Sequence, residues 1–282
     1  MIGMEPLVAP EWLAAELGAP DLRVLECTVH LVPRDGGGLR VQSARPDWEA
    51  GHVPGSMFVD LQEDLSDTSA KLRFTFPGAD HVCAALGRLG VGDGDRIVLY
   101  DRGPGMWASR VWWMLRACGV DTAAVLDGGW TAWQASGGAV STEVATFPAA
   151  TLTPRPRAGL FVGRDEVLAA IGDGATCVVN ALDGAQHRGE VQNYARPGRI
   201  PGSANVAAVE LVDPTTNRFR PLDELQSMFD VTGTGRVIAY CGGGVAASAD
   251  AFTLFRLGRS DVAVYDNSLN EWAADPSLPM EV

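Results

Sequence analysis

Short apolar runs alternate along this chain with stretches that repeat apolar residues at helical spacing. Leu22-Arg-Val-Leu-Glu-Cys27, Met57-Phe-Val-Asp60, Arg96-Ile-Val-Leu-Tyr-Asp101 and Thr122-Ala-Ala-Val-Leu-Asp127 are rich in aliphatic side chains and too short for helices, so they predict strands. Between them, Pro10–Leu17, Ala79–Leu89, Ala108–Cys118 and the stretch from Gly128 to Trp133 predict helices. Residues 31–45, with glycines at 36–38, read as a loop, and Trp48–Ser56 reads as a turn. Strands alternating with helices predict an α/β fold with mainly parallel sheets flanked by helices.

From Thr142 to Arg157 the periodicity stops, with prolines at 148, 154 and 156, which predicts a linker. The same order of parts then returns. Arg164–Ile171 predicts a helix and Cys177-Val-Val-Asn180 a strand. Arg199-Ile-Pro-Gly-Ser203 echoes His52-Val-Pro-Gly-Ser56, and Arg236-Val-Ile-Ala-Tyr-Cys241 echoes Arg96–Asp101. Asp101 and Asp127 are 26 residues apart, Cys241 and Asp266 are 25 apart, and a tryptophan follows six residues beyond each second aspartate. Order, spacing and residue type agree, so the chain is a tandem duplication. The expected division is residues 1–142, a linker at 143–157, and 158–282.

The two halves differ where it matters for chemistry. Cys241 ends a predicted strand and opens Cys241-Gly242-Gly243-Gly244-Val245-Ala246, which leads into a helix. Glycines let main-chain N–H groups converge on one point, and the helix directs its positive end there. A thiol in such a ring is expected to ionise more readily than a free one. The first half has Asp101 at this position, so it is expected to shape or cover the site. Ligands of open α/β sheets bind beyond the carboxyl ends of the strands, and clefts form between domains, so a pocket where the halves meet is expected.

The 282 residues are 46% hydrophobic and 20% charged, with a net charge of −13, which argues against nucleic acid and anionic membrane as partners. Lys71 is the lone lysine, so a substrate cation is expected to be arginine. Cys27, Cys83, Cys118, Cys177 and Cys241 form no Cys-x-x-Cys pair, which predicts no metal site and no disulfide framework. With no secretory signal and no spanning apolar run, a reducing, cytoplasmic setting is expected.

The chain resembles the two-domain rhodanese family of sulfurtransferases in Gly51-His-Val-Pro-Gly55, Arg110-Val-Trp-Trp113, Leu126-Asp-Gly-Gly129, Ile200-Pro-Gly202 and the six-residue loop from Cys241. The loop is most similar to that of the mercaptopyruvate branch, and it lacks the cations that a thiosulfate-type loop carries. The resemblance implies a persulfide on Cys241, a small thio-donor, a thiol, cyanide or protein acceptor, and no cofactor. It also exposes departures. Gly243 stands where the mercaptopyruvate branch has a serine that helps move a proton, and Gln62, between Asp60 and Glu63, stands where an aspartate is usual. Gln186-His187-Arg188-Gly189 replaces an Arg-Phe-x-Gly motif. Asp266-Asn-Ser-Leu269 replaces Asp-Gly-Ser-Trp. Gln186, His187, Arg188, Arg196, Arg199 and Gln62 are the candidate substrate-binding residues, a pair of arginines being suited to a carboxylate. Two other readings stay open: a fold re-employed on a specialised metabolite, and a non-catalytic module that binds an anion or partner.

Overall fold

The computed structural model describes residues 4–33 and 39–282, so the glycines at 36–38 lie outside the described residues. Two compact units emerge. Unit 1 comprises Met1–Asp67, Phe76–Arg157 and Thr215–Arg218, and unit 2 comprises Thr68–Thr75, Ala158–Pro214 and Phe219–Val282. Each half therefore lends a short segment to the other half's unit.

Unit 1 contains β1 (Leu7–Val8), α1 (Pro10–Glu16), β2 (Leu22–Glu26), β3 (Val29–Pro33), β4 (Leu39–Ser43), α2 (Arg45–Ala50), β5 (Ser56–Phe58), α3 (Ala79–Arg88), β6 (Arg96–Tyr100), α4 (Met106–Ala117), β7 (Ala123–Leu126) and α5 (Gly129–Ala135). Unit 2 contains β8 (Phe161–Val162), α6 (Arg164–Ala170), β9 (Thr176–Asn180), α7 (Gly184–His187), β10 (Ala204–Asn205), α8 (Leu222–Phe229), β11 (Arg236–Tyr240), α9 (Val245–Arg256), β12 (Val262–Tyr265) and α10 (Ser268–Trp272). The main sheets run β1-β7-β6-β2-β5 and β8-β12-β11-β9-β10, and every pairing within them is parallel. Matching strands hold matching places, so the duplication seen in the sequence is a duplication of topology.

The echoed sequence fragments are structural partners within each unit. The Tyr100 hydroxyl, at the end of the central strand β6, accepts from the Val53 N–H at 3.3 Å and bonds Ser56 Oγ at 3.1 Å. In unit 2 the Tyr240 hydroxyl accepts from the Ile200 N–H at 3.1 Å and bonds Ser203 Oγ at 2.9 Å. Burying a tyrosine requires such partners for its hydroxyl. This explains why each Pro-Gly-Ser turn travels with a tyrosine some forty positions later. Val98, Tyr100, Leu126, Trp130 and Trp133 lie in the core of one sheet face of unit 1; Ile238, Tyr240, Tyr265, Leu269 and Trp272 lie in the core of unit 2.

Two local expectations need correction. Residues 31–45 are not a plain loop: β3 and β4 pair antiparallel, and α2 begins at Arg45 with a proline in its first turn. Residues 143–157, expected as a linker, run along unit 1 and are fastened to it. The Ala150 N–H donates to Gly87 O at 2.9 Å, the Arg155 N–H to Cys118 O at 2.8 Å, and Thr153 Oγ1 to Asp93 Oδ2 at 2.6 Å. Prolines suppress periodicity without preventing such bonds. The sequence reading also passed over α8, whose buried Leu225 and Phe229 lie four residues apart, on one helix face.

Candidate active site

Cys241 directly follows β11, the central strand of its sheet, and the loop it opens ends at Gly244, which caps α9 in the left-handed conformation (φ 75°). Glycine adopts that conformation without steric cost, which lets the chain turn at once from strand into helix. Cys241 is buried, 3% exposed. Its N–H donates to Ser268 Oγ at 3.0 Å, and that hydroxyl donates to Tyr265 O at 2.7 Å. The Cys241 and Gly242 carbonyls accept from Leu269 and Asn270 N–H at 3.0 and 2.9 Å. The loop is thus clamped to the start of α10. Ser268 has φ 49°, a strained conformation for a residue with a side chain, and its two hydroxyl bonds hold it there.

The side-chain directions of the first two loop glycines are already filled. A Cβ on Gly242 would overlap the Tyr194 hydroxyl, and the ring's Cε1 would lie 3.0 Å away. A Cβ on Gly243 would stand 3.0 Å from Asn270 Nδ2 and 3.9 Å from Arg73 O. Arg73 belongs to the 68–75 segment that unit 2 receives from the first half, and Thr75 Oγ1 of that segment bonds Asn267 Oδ1 at 3.3 Å. Burial pushes the Tyr194 phenol above its ordinary range, and the nearby Cys241 and Asp183 push it the same way. Tyr194 therefore stays a protonated donor at neutral pH. Neither Tyr194 nor Ser268 was singled out from the sequence. Ser268 lay inside the quoted Asp266–Leu269 motif, but nothing in the chain near Tyr194 marks it.

The predicted substrate residues fare unequally. Gln186 and His187 sit on α7, beyond the end of β9 and therefore at the carboxyl edge of the sheet. Gln186 Nε2 donates to Asp183 Oδ2, and Gln186 Oε1 accepts from Asn193 Nδ2 at 2.9 Å. His187 Nδ1 lies 3.2 Å from Asn180 Nδ2. Desolvation and then the Arg199 charge hold the His187 imidazole below its ordinary range. Arg188 forms an exposed ion pair with Glu190, its Nε 2.7 Å from Oε1. Arg199 is bonded to Glu281 and to His187 O. Arg196 calls for a correction. Its guanidinium donates to the carbonyls of Trp272, Ala273, Asp275 and Leu278 at 2.6–2.9 Å, so it ties down the chain after α10 and has little left for a carboxylate. Gln62 belongs to unit 1, where its N–H donates to Asp60 Oδ1 at 3.0 Å.

At the equivalent place in unit 1, the Asp101 carboxylate fills its own loop. It accepts from the N–H groups of Gly103, Gly105, Trp107 and Ala108 at 2.9–3.1 Å, two donors to each oxygen. In unit 1 the strand-to-helix loop is thus an anion receptor. In unit 2 the residue at its head is a thiol instead of a carboxylate.

The comparisons with known proteins agree with this geometry. The rhodanese-like domain matches twice, over residues 9–136 and 165–275. The chain belongs to the rhodanese family, in its tandem form. It is 31% identical to thiosulfate/3-mercaptopyruvate sulfurtransferase 2 of Arabidopsis thaliana, over 98% of this chain and 86% of that one. It is 32% identical to a probable 3-mercaptopyruvate sulfurtransferase of Pseudomonas aeruginosa, over 97% of each. The crystal structure of the 3-mercaptopyruvate sulfotransferase SseA from Escherichia coli superimposes with a TM-score of 0.83 at 27% identity, covering 94% of this chain and 99% of that one. The chain is a sulfurtransferase. These relatives favour sulfur transfer over the re-employed enzyme and over the non-catalytic module. Among the described residues no helix is long and apolar enough to cross a membrane.

Proposed function

We propose that Cys241 carries the transferred sulfur, and that the preferred donor is a small 2-oxo-3-thio acid of the 3-mercaptopyruvate type. The observation that supports this most is the paired loops: where unit 1 holds its own carboxylate on four main-chain N–H groups, unit 2 presents a sulfur nucleophile. In the first step the Cys241 thiolate attacks the donor's sulfur. An S–S bond forms, the donor's C–S bond breaks, and its electron pair stays on carbon as an enolate. The proton that the donor thiol carried ends on that carbon, which gives the 2-oxo acid, and the enzyme keeps a persulfide anion. In the second step an acceptor thiolate or cyanide attacks the outer sulfur and restores the Cys241 thiolate.

Two features favour such a donor over thiosulfate. No cation follows Cys241 in its six-residue loop, whereas a compact dianion calls for cations beside the sulfur. Cys241 is also enclosed, which suits a slim donor. Gln186 and His187 are the residues we assign to orienting the donor, with Arg188, beside them in the chain, and Arg199, which donates to His187 O, as the cations for its carboxylate. The same chemistry calls for a reducing compartment such as the cytoplasm, and all five cysteines are free thiols. The acceptor is a small thiol, cyanide or a protein thiol.

Intact-mass measurement after incubation with 3-mercaptopyruvate, thiosulfate and cysteine in parallel tests the reading. A gain of one sulfur atom with mercaptopyruvate, absent in Cys241→Ser, is the expected result. Gain from thiosulfate alone would overturn the donor, and gain in the serine variant would overturn Cys241.

A further inference from the structure

The six-residue loop from Cys241 carries no hydroxyl side chain, and the position two residues after the cysteine is Gly243. Two polar groups instead occupy the side-chain directions of the loop glycines. One is the Asn270 carboxamide, of an exposed residue, whose Nδ2 lies 3.0 Å from where a Gly243 Cβ would stand. The other is the Tyr194 hydroxyl, which fills the side-chain space of Gly242, the residue bonded to Cys241. The Tyr194 ring is packed against the unit 2 core, so the hydroxyl is held in place and not swung in from solvent. Among the described residues that hydroxyl has no hydrogen-bond partner, although it lies beside a buried cysteine. A phenol whose proton no protein group takes can donate it to a ligand held in the loop.

We infer that Tyr194 is a catalytic hydrogen-bond donor of this sulfurtransferase, supplying from outside the loop the hydroxyl that Gly243 cannot. The inference rests on Cys241 as the sulfur carrier. The acceptor of its bond is the negatively charged outer sulfur that remains when the donor's C–S bond breaks. Tyr194 keeps its proton throughout, so the electron and proton balance of the transfer is unchanged. The titratable groups that act on the Tyr194 hydroxyl are Cys241 itself and Asp183 before α7. Gly242 is required for the same reason, since any side chain there displaces the phenol.

Quenched-flow intact mass with 3-mercaptopyruvate reads persulfide formation directly, in the wild type, Tyr194→Phe and Gly242→Ala. The expected result is a fall of about 10²- to 10³-fold in the rate at saturating donor for Tyr194→Phe, the size typical of one lost donor to a developing charge. The half-saturating donor concentration should change less than about threefold, since ground-state binding does not use this bond. Gly242→Ala should show the same loss by moving the ring. Adding Gly243→Ser to Tyr194→Phe should restore part of the rate, because the Asn270 side chain can yield to the new Cβ. A Tyr194→Phe enzyme as fast as the wild type would overturn the inference, and so would a loss seen only as weaker donor binding. Absence of any mass gain in the wild type would instead remove the Cys241 reading, and this proposal with it.

Discussion

The loops after β6 and β11 are copies of one device, and they have been put to opposite ends. In unit 1 the loop is closed on itself: Asp101 is fully buried and its carboxylate takes up four main-chain N–H groups. Burial raises the Asp101 carboxyl above its ordinary range, and the four N–H donors pull it back. In unit 2 the loop is clamped from behind, through Ser268, Leu269 and Asn270, while its head carries a thiol. The same backbone is therefore a structural staple in one unit and, in the function proposed above, a reaction site in the other. What decides between them is whether the first residue supplies its own anion.

The largest effect should come from removing that thiol. Cys241→Ser keeps the volume and the N–H bond to Ser268 but offers a hydroxyl that does not ionise at neutral pH. Turnover with mercaptopyruvate should fall by at least about 10⁴-fold, on the scale of lost covalent nucleophiles, while the thermal midpoint stays within a few degrees. Persulfide on the serine variant, by mass, would break the comparison outright.

Asp101→Ala is the matching experiment in unit 1. It leaves four N–H groups without their acceptor, three of them buried, and we expect a loss of roughly 3–5 kcal/mol of unit 1 stability. Asp101→Asn, which keeps one carbonyl oxygen, should lose about half as much. Urea unfolding followed by tryptophan fluorescence reads this selectively, because seven of the eight tryptophans belong to unit 1. A change below about 1 kcal/mol in the alanine variant would mean that the four bonds contribute little and that the loop is a staple in appearance only.

Ser268 sharpens the comparison further. Its counterpart in unit 1 is Gly129, at φ 51°, which adopts the same conformation freely. Ser268→Ala keeps the backbone strain and removes the acceptor of the Cys241 N–H, so unit 2 should lose about 1–2 kcal/mol. Ser268→Gly loses the same bond but gains conformational ease, and should cost less. If the glycine variant were the weaker of the two, strain at this position would not matter.

Much of this division was legible in the sequence. The Asp101/Cys241 contrast, the Pro-Gly-Ser turns and the tyrosines that hold them keep fixed spacing, because each belongs to a strand end whose register is set by the sheet. Tyr194 was not legible, since it reaches Gly242 through tertiary packing across forty-eight residues of chain and no local pattern records that. The exchanged segments 68–75 and 215–218 were hidden for the same reason. Arg196 misled in the other direction: an arginine beside a turn looks like a free cation until its four carbonyl acceptors are seen.

The smallest expected effect concerns pH. His187 Nδ1 faces the Asn180 amide, which donates to it only while that nitrogen is unprotonated, and burial with the neighbouring Arg199 charge lowers the folded-state pKa. The unfolded chain therefore takes up the His187 proton first as pH falls. The stabilisation from the neutral imidazole is complete above the unfolded value of about 6.5 and is lost as pH falls through the lower folded value. His187→Gln can keep an acceptor toward Asn180 without titrating. The gap between the thermal midpoints at pH 7.5 and pH 5.5 should thus be smaller in that variant than in the wild type. Other groups that titrate in this window contribute equally to both proteins and cancel in the difference. Equal gaps would show that His187 is as easily protonated in the fold as in the unfolded chain, and that its place on α7 has no electrostatic consequence for unit 2.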